Sequence, residues 1–266
     1  MARALGKLET QFYAFIQAEG LLKVRTGDLT RGLGLGAVQE RKLLSRLCRA
    51  GLIARVRRGL YLVPSRIPPG GKWSPGEFLA LSALMDDQDA RYQLCGPSAF
   101  GRYGWDDQVP NRVYAYNNRV SGDRRIGPLE FSLIHVADQR LGGTEAVKTP
   151  EGITIFYSSR ARSLMDAVCD WSRFNTLPRA YGWIRAELAR DGSLARKLID
   201  MSLRHGNQGT LRRIGKLLET EGAPQPLLRK LEKAIRRSSS LIPWIPTRPK
   251  RGRADKRWGV IFNDVS

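Results

Sequence analysis

The chain has 266 residues, 42 % of them hydrophobic, which is enough for a sizeable buried core and a length suited to two domains. Its three cysteines, Cys48, Cys95 and Cys169, are widely spaced among apolar neighbours, so neither a disulfide framework nor a CxxC metal site is available. The net charge of +20 gathers at the ends: residues 1–66 hold 13 Lys/Arg against 4 Asp/Glu, residues 67–195 hold 15 against 15, and residues 196–266 hold 17 against 6.

A neutral middle between two cationic ends favours a polyanionic partner over a solubility device. In chain order, residues 8–18 carry apolar side chains at helical spacing with Gly20 just beyond, which predicts a first helix. Lys23-Val24-Arg25 suits a short strand, and residues 28–33 a second helix. Glycines in Leu33-Gly34-Leu35-Gly36 punctuate a tight turn before a third helix over residues 37–49. On a helical wheel Ala37, Leu43, Leu44, Leu47 and Cys48 share one face, and Gln39, Arg41, Lys42, Ser45, Arg46 and Arg49 the opposite one. Glu40 falls on the apolar arc, where a helix-to-helix salt bridge is expected, and Gly51 is placed to close the helix. Residues 52–56 and 60–63 then read as strands joined by a hairpin at Arg57-Arg58-Gly59. A cationic helix followed by a cationic hairpin is the pattern of a winged helix-turn-helix, over residues 1–66.

Pro68, Pro69, Gly70 and Gly71 mark a linker over residues 67–72. Beyond it, residues 73–266 read as a mixed α/β domain with partly antiparallel strands. The overall class is α+β. A helix over residues 75–85, with Ser74 as N-cap, precedes Tyr92-Gln93-Leu94-Cys95 and a helix start at Gly96-Pro97-Ser98-Ala99-Phe100, and strand-like runs follow at 113–116, 129–136 and 153–157. Ser158 and Ser159 lead into a strong helix over residues 161–171, and the pattern is helical from about 179 to 237, with breaks near Asp191-Gly192, His205-Gly206-Asn207 and Gly222-Ala223-Pro224. The basic tail, residues 243–257, should pack back through residues 258–263, since a free tail seldom keeps Trp258 and Phe262 exposed together.

Several of these stretches together resemble the AbiEi family, the antitoxin and transcriptional repressor half of AbiE-type (type IV) toxin–antitoxin systems. The resemblance is carried by Leu44-Ser45-Arg46-Leu47, Gly51-Leu52-Ile53 and Arg57-Arg58-Gly59-Leu60-Tyr61 in the first domain. It continues in Gly96-Pro97-Ser98-Ala99-Phe100, Tyr103-Gly104-Trp105, the run from Ser158 to Asp166, and Arg257-Trp258-Gly259-Val260. It implies repression of the chain's own operon and neutralisation of a partner toxin with a nucleotidyltransferase fold.

From the residues themselves, base readout belongs at the start of the third helix. Gln39 suits a bidentate contact to adenine, while Arg41, Lys42 and Arg46 suit guanine or phosphate. Ser45 and Arg49 share that face. Val38 meets either a thymine methyl or the second helix. Arg55, Arg57 and Arg58 are expected to grip phosphate. Arg112, Arg119, Arg124, Arg125, Arg160 and Arg162 suit a solvated face better than a site. Arg248, Lys250, Arg251, Arg253, Lys256 and Arg257 form a second basic patch, for flanking DNA, a toxin's acidic groove or RNA held by it, with Trp244 and Trp258 expected to anchor the tail in the core.

No named catalytic pattern is present: Gly-x-Ser-x-Gly, Walker A, HExxH and CxxC are all missing. His135 alternates with apolar residues as a strand position, and Asp166 and Asp170, one helical turn apart, lack a third partner for a metal. The expectation is a non-catalytic protein needing no cofactor or metal. No apolar run approaches the roughly 18 residues of a membrane span and no signal-peptide pattern is present, so it is expected in the cytoplasm. It would be an antitoxin and repressor reading double-stranded operator DNA, with inverted repeats and dimerisation on DNA. The alternatives are a transcriptional regulator without a toxin partner and a basic interaction module that clamps an acidic enzyme.

Overall fold

In a computed structural model, the described residues are 6–66, 72–108, 110–150, 152–236 and 238–264. The proline–glycine stretch 67–71 of the expected linker lies outside them.

Helix α1 (Lys7–Ala18) buries Phe12, Tyr13 and Ile16 on one stripe. Strand β1 (Lys23–Arg25), α2 (Asp28–Leu33) and α3 (Ala37–Arg49) follow at the expected places. The apolar stripe of α3 is Leu43, Leu44 and Leu47; Ala37, expected on it, is exposed, and Leu35 in the preceding turn is buried instead. Helix α3 ends in a Schellman closure, with Leu52 N–H donating to Leu47 O and Gly51 N–H to Cys48 O, both at 3.0 Å. Ala50 is therefore the cap, and Gly51 sits one place beyond it at φ +69°, a conformation glycine adopts without strain. This closure absorbs Leu52 and Ile53, so β2 runs Ala54–Arg57 rather than from residue 52, and β3 is Leu60–Leu62. Arg57 lies in the strand, leaving Arg58 and Gly59 at the tip. The three strands form an antiparallel sheet in the order β1-β3-β2.

Next come α4 (Glu77–Asp87), β4 (Tyr92–Leu94), α5 (Gly96–Arg102), β5 (Val113–Asn117), β6 (Gly122–Ile126), β7 (Leu129–His135), β8 (Thr144–Lys148) and β9 (Thr154–Ser158). The N-cap of α4 is Gly76, not Ser74, whose hydroxyl donates instead to Pro75 O. The strands make one six-stranded sheet, β6-β7-β5-β4-β9-β8, in which β5–β7 and β4–β9 are parallel and the remaining pairs antiparallel. Both edges of this sheet, β6 and β8, were not foreseen.

Helix α6 (Arg160–Cys169) is capped by the Ser159 hydroxyl, and every residue from Ala161 to Cys169 is buried. It is the central helix, and it stops before Trp171, which opens the short α7 (Trp171–Phe174). Helices α8 (Arg179–Arg190), α9 (Leu194–His205), α10 (Gln208–Thr220) and α11 (Gln225–Ala234) surround it, with breaks where glycine, asparagine and proline stand in the sequence. In the tail, β10 (Ile242–Pro243), β11 (Arg253–Asp255) and β12 (Val260–Phe262) form a small sheet in the order β10-β12-β11. Trp244 stacks on Tyr181 at 3.9 Å between ring centroids, and Trp258 is fully buried.

Arg162 does not belong to a solvated face. It is fully buried, donating to Asp166 at 2.9 Å, to Gly142 O at 3.0 Å and to Arg140 O at 2.8 Å. Arg160 is likewise engaged, with Glu187 at 2.7 Å and across the ring of Tyr103 at 4.7 Å. Asp170 accepts from Arg140 at 3.0 Å and from the Tyr116 hydroxyl. Asp166 thus satisfies the buried Arg162, and Asp170 the half-buried Arg140. Among the described residues no group of three or more His, Cys, Asp or Glu is placed to hold a metal, and no helix is long and apolar enough to cross a membrane.

The apolar interior has three parts. One lies inside α1–α3 and the back of β1–β3; a second joins α6 to α8–α11 and the tail. The third joins the two halves of the chain, because Ala54, Val56, Leu60 and Leu62 of the β2–β3 hairpin pack in one core with α4 and the sheet residues Ile126, Phe131 and Leu133.

Candidate nucleic-acid interface

The turn between α2 and α3 is set by Glu40. Its carboxylate is fully buried and accepts from the Gly27 amide at 2.9 Å, the Leu29 amide at 3.0 Å and the Thr30 hydroxyl at 3.3 Å. These amides open α2, whose own N-cap, Gly27, has no side chain to offer. Glu40 therefore caps one helix from the first turn of the next, where its negative charge also meets the positive end of the α2 dipole. The expected salt bridge to a basic side chain is replaced by this amide cap.

With the apolar stripe and Glu40 turned inward, the opposite face of α3 is open. Gln39, Arg41, Lys42, Ser45 and Arg49 are all exposed, and Val38, at 56 % exposure, is clear of α2. Arg41 folds back on its own helix, Nε to Ala37 O at 3.2 Å. Arg46 differs from its neighbours. Its Nε is 3.0 Å from Glu9 of α1, so it ties two helices together rather than standing free for guanine or phosphate.

The hairpin arginines also separate. The β2–β3 register shifts between Arg55 and Arg57, and this bulge interrupts the alternation of faces. Arg55 pairs across with Tyr61, on the side facing the core of α1–α3, whereas Arg57 pairs with Leu60, on the side facing α4. Arg57 is engaged there by Asp87 and by Arg58 O at 2.7 Å. It is therefore not a free phosphate grip; Arg55 and Arg58 remain exposed for that role.

Between α3, the hairpin and the β6–β7 turn lies a groove of about 840 Å³, lined by Arg49, Arg55, Tyr61, Lys72, Trp73 and Arg125 among others. Lys72 and Arg125 were not foreseen at this site. Only the fold brings them there, Lys72 through the 2.7 Å hydrogen bond from Trp73 N–H to Gly51 O.

The C-terminal patch is thinner than its composition. Arg257 is held by Glu219 at 2.6 Å, Glu232 at 3.0 Å and Gln225 at 3.1 Å, and Arg248 reaches Asp264 at 3.2 Å. Lys250, Arg251, Arg253 and Lys256 stay exposed.

Residues 24–64, which span β1 through β3, match the family described as transcriptional regulator, AbiEi antitoxin. That similarity is confined to the segment from the first strand to the end of the hairpin. No curated protein matches the chain. Among solved structures, the crystal structure of the RV2827C protein from Mycobacterium tuberculosis is similar, with a TM-score of 0.62 at 16 % identity, covering 97 % of this chain and 92 % of that one. At that identity the likeness is one of fold. It extends well beyond the AbiEi segment, so the joined two-part arrangement is shared.

Proposed function

We propose that residues 6–66 are a winged helix-turn-helix, that the chain binds double-stranded operator DNA through it, and that it represses its own operon as the antitoxin of a toxin–antitoxin pair. The observation that carries this is the open polar face of α3, with Val38, Gln39, Lys42 and Arg49 exposed while Glu40 and the leucines face inward. A helix held this way enters a major groove with its N-terminal half toward base edges, and Arg55 and Arg58 on the hairpin meet the flanking phosphates. The AbiEi match over the same residues supports the regulatory half of the proposal.

The antitoxin half follows the family description. Its partner is a nucleotidyltransferase-like toxin, met directly or through the nucleic acid it handles, and Lys250, Arg251, Arg253 and Lys256 are the exposed cations suited to that contact. The protein acts in the cytoplasm, without catalysis of its own, on an inverted repeat that two copies occupy together. A gel shift with the chain's own upstream duplex against a scrambled duplex of equal length tests the DNA reading. The upstream duplex should be retarded at lower protein concentration, and equal retardation of both would count against operator recognition. A search for an adjacent gene encoding a nucleotidyltransferase-like protein, followed by co-expression of the two, tests the other half: restored growth supports it, and continued toxicity counts against it.

A further inference from the structure

We infer that the second half of the chain contributes directly to the DNA surface: Lys72 and Arg125 hold the phosphodiester backbone that passes along the groove between α3 and the β2–β3 hairpin. This inference rests on the DNA reading above and extends it beyond the AbiEi-matched segment.

The groove collects four cations from four separate places in the chain. Arg49 comes from the last turn of α3, Arg55 from β2, Lys72 from just before α4, and Arg125 from β6. No carboxylate lines it. Among the described residues none of the four makes an ion pair, while Arg46, Arg57, Arg112, Arg160, Arg162 and Arg257 all do. Four like charges gathered in a groove lined by no carboxylate repel, with Glu130, across from Arg125 in the β6–β7 register, the nearest acid on that strand pair, and a polyanion relieves that repulsion. The spacing of phosphates along a duplex suits several cations along one track, each releasing condensed counterions.

The site is built rather than incidental. Gly127, in the β6–β7 turn at φ +60°, lies so close to the hairpin that a Cβ there would stand 3.4 Å from Ala54 Cβ. The turn is thus seated on β2, and the shared core beneath it holds Arg125 at a fixed distance from Arg55. Arg125 Nε donates to Gly127 O at 3.2 Å, which orients the guanidinium while leaving its outer N–H groups for a ligand. Tyr61 and Trp73 supply flat apolar walls against which deoxyribose packs.

Fluorescence anisotropy with the full chain tests this, using Lys72→Ala, Arg125→Ala and their combination against the upstream and scrambled duplexes from about 50 to 200 mM salt. The double variant should bind both duplexes about 10-fold more weakly at 150 mM salt, with a salt slope smaller by about 2 and the preference between duplexes unchanged. A control, Arg229→Ala with Lys230→Ala on α11, removes the same charge from a distant exposed surface and should leave binding nearly as it was. The inference is overturned if Arg49→Ala and Arg55→Ala weaken binding while the groove double variant behaves like the α11 control. Should the unsubstituted chain bind neither duplex, the DNA reading itself fails.

Discussion

Arg57 and Asp87 join the β2–β3 hairpin to the C-terminal end of α4 through a two-pronged contact, Arg57 Nε and Nη2 both donating to the same carboxylate. Asp87 is 2 % exposed at its side chain and also receives Arg25 of β1 at 2.9 Å. One carboxylate therefore pairs with two arginines of the β1-β3-β2 sheet. It fixes how the α1–β3 part sits on the rest of the chain, and so where Arg55 and Arg125 stand relative to each other.

That contact gives a pH dependence. The hydrogen bond from Arg57 is the main reason the Asp87 carboxyl is held down at about 2, against an ordinary 3.8. The folded state thus favours the charged form, and the stability gained is present above about pH 4 and lost as pH falls toward 2. Asp87→Asn should cost about 1 kcal/mol at neutral pH, a figure discounted because both arginines are half exposed. The gap between the two proteins should close on acidification. Urea unfolding at pH 7, 4 and 3 checks this, and a gap constant across the series would refute it.

Glu40 sustains a second prediction. Glu40→Ala strands the Gly27 and Leu29 amides at the start of α2, and should destabilise the protein by about 2–3 kcal/mol. Because the cap also sets the angle between α2 and α3, DNA preference should fall with it. Glu40→Gln keeps one acceptor and should lose less. Equal losses in the two variants would mean that the single acceptor kept by glutamine is worth nothing here, and that the negative charge with both oxygens holds the turn.

What the sequence made legible follows the same physics. Helices α1 to α3 were readable because a stripe of Leu, Phe and Ile repeats at helical spacing against a polar face. The strands β6 and β8 were not, because both are sheet edges: Asp123-Arg124-Arg125 and most of Thr144–Lys148 face solvent, so no buried alternation marks them. Arg162, expected on a solvated face, is buried with its i, i+4 partner Asp166 beside the apolar Ala161, Leu164 and Met165. An arginine and an aspartate one turn apart inside an apolar run is the signal that was available. Helix α3 showed its outer face, yet the diversion of Arg46 to Glu9 and of Arg57 to Asp87 depends on long-range contacts that spacing does not encode.

The tail supplies a third prediction. Trp258 fills a notch on α10 that exists because residue 215 is glycine; a Cβ there would lie 2.1 Å from the indole ring. Gly215→Ala should therefore displace Trp258 and cost about 1–3 kcal/mol by overpacking, despite alanine's better helix propensity. Trp258→Ala should cost about 3–5 kcal/mol through the cavity it leaves. Combining the two substitutions should cost less than their sum, since the new methyl then enters vacated space. Chemical denaturation of the three variants checks this, with strict additivity as the contrary result.

Base readout and phosphate contact should separate along α3 and the hairpin. Gln39 and Lys42 stand on the exposed N-terminal half of α3, while Arg55 stands on β2 at the groove. A side chain at a base edge discriminates among base pairs by about 1–3 kcal/mol, whereas one at a phosphate adds the same affinity to any duplex. Gln39→Ala and Lys42→Ala should therefore narrow the preference for the upstream duplex over the scrambled one and leave binding to the scrambled one largely intact. Arg55→Ala should weaken both alike and lower the salt slope by about 1. Anisotropy titrations on single-base variants of the upstream duplex would then locate the position that Gln39 reads. A uniform loss from Gln39→Ala across all those variants would move α3 out of the major groove and leave the hairpin as the main contact.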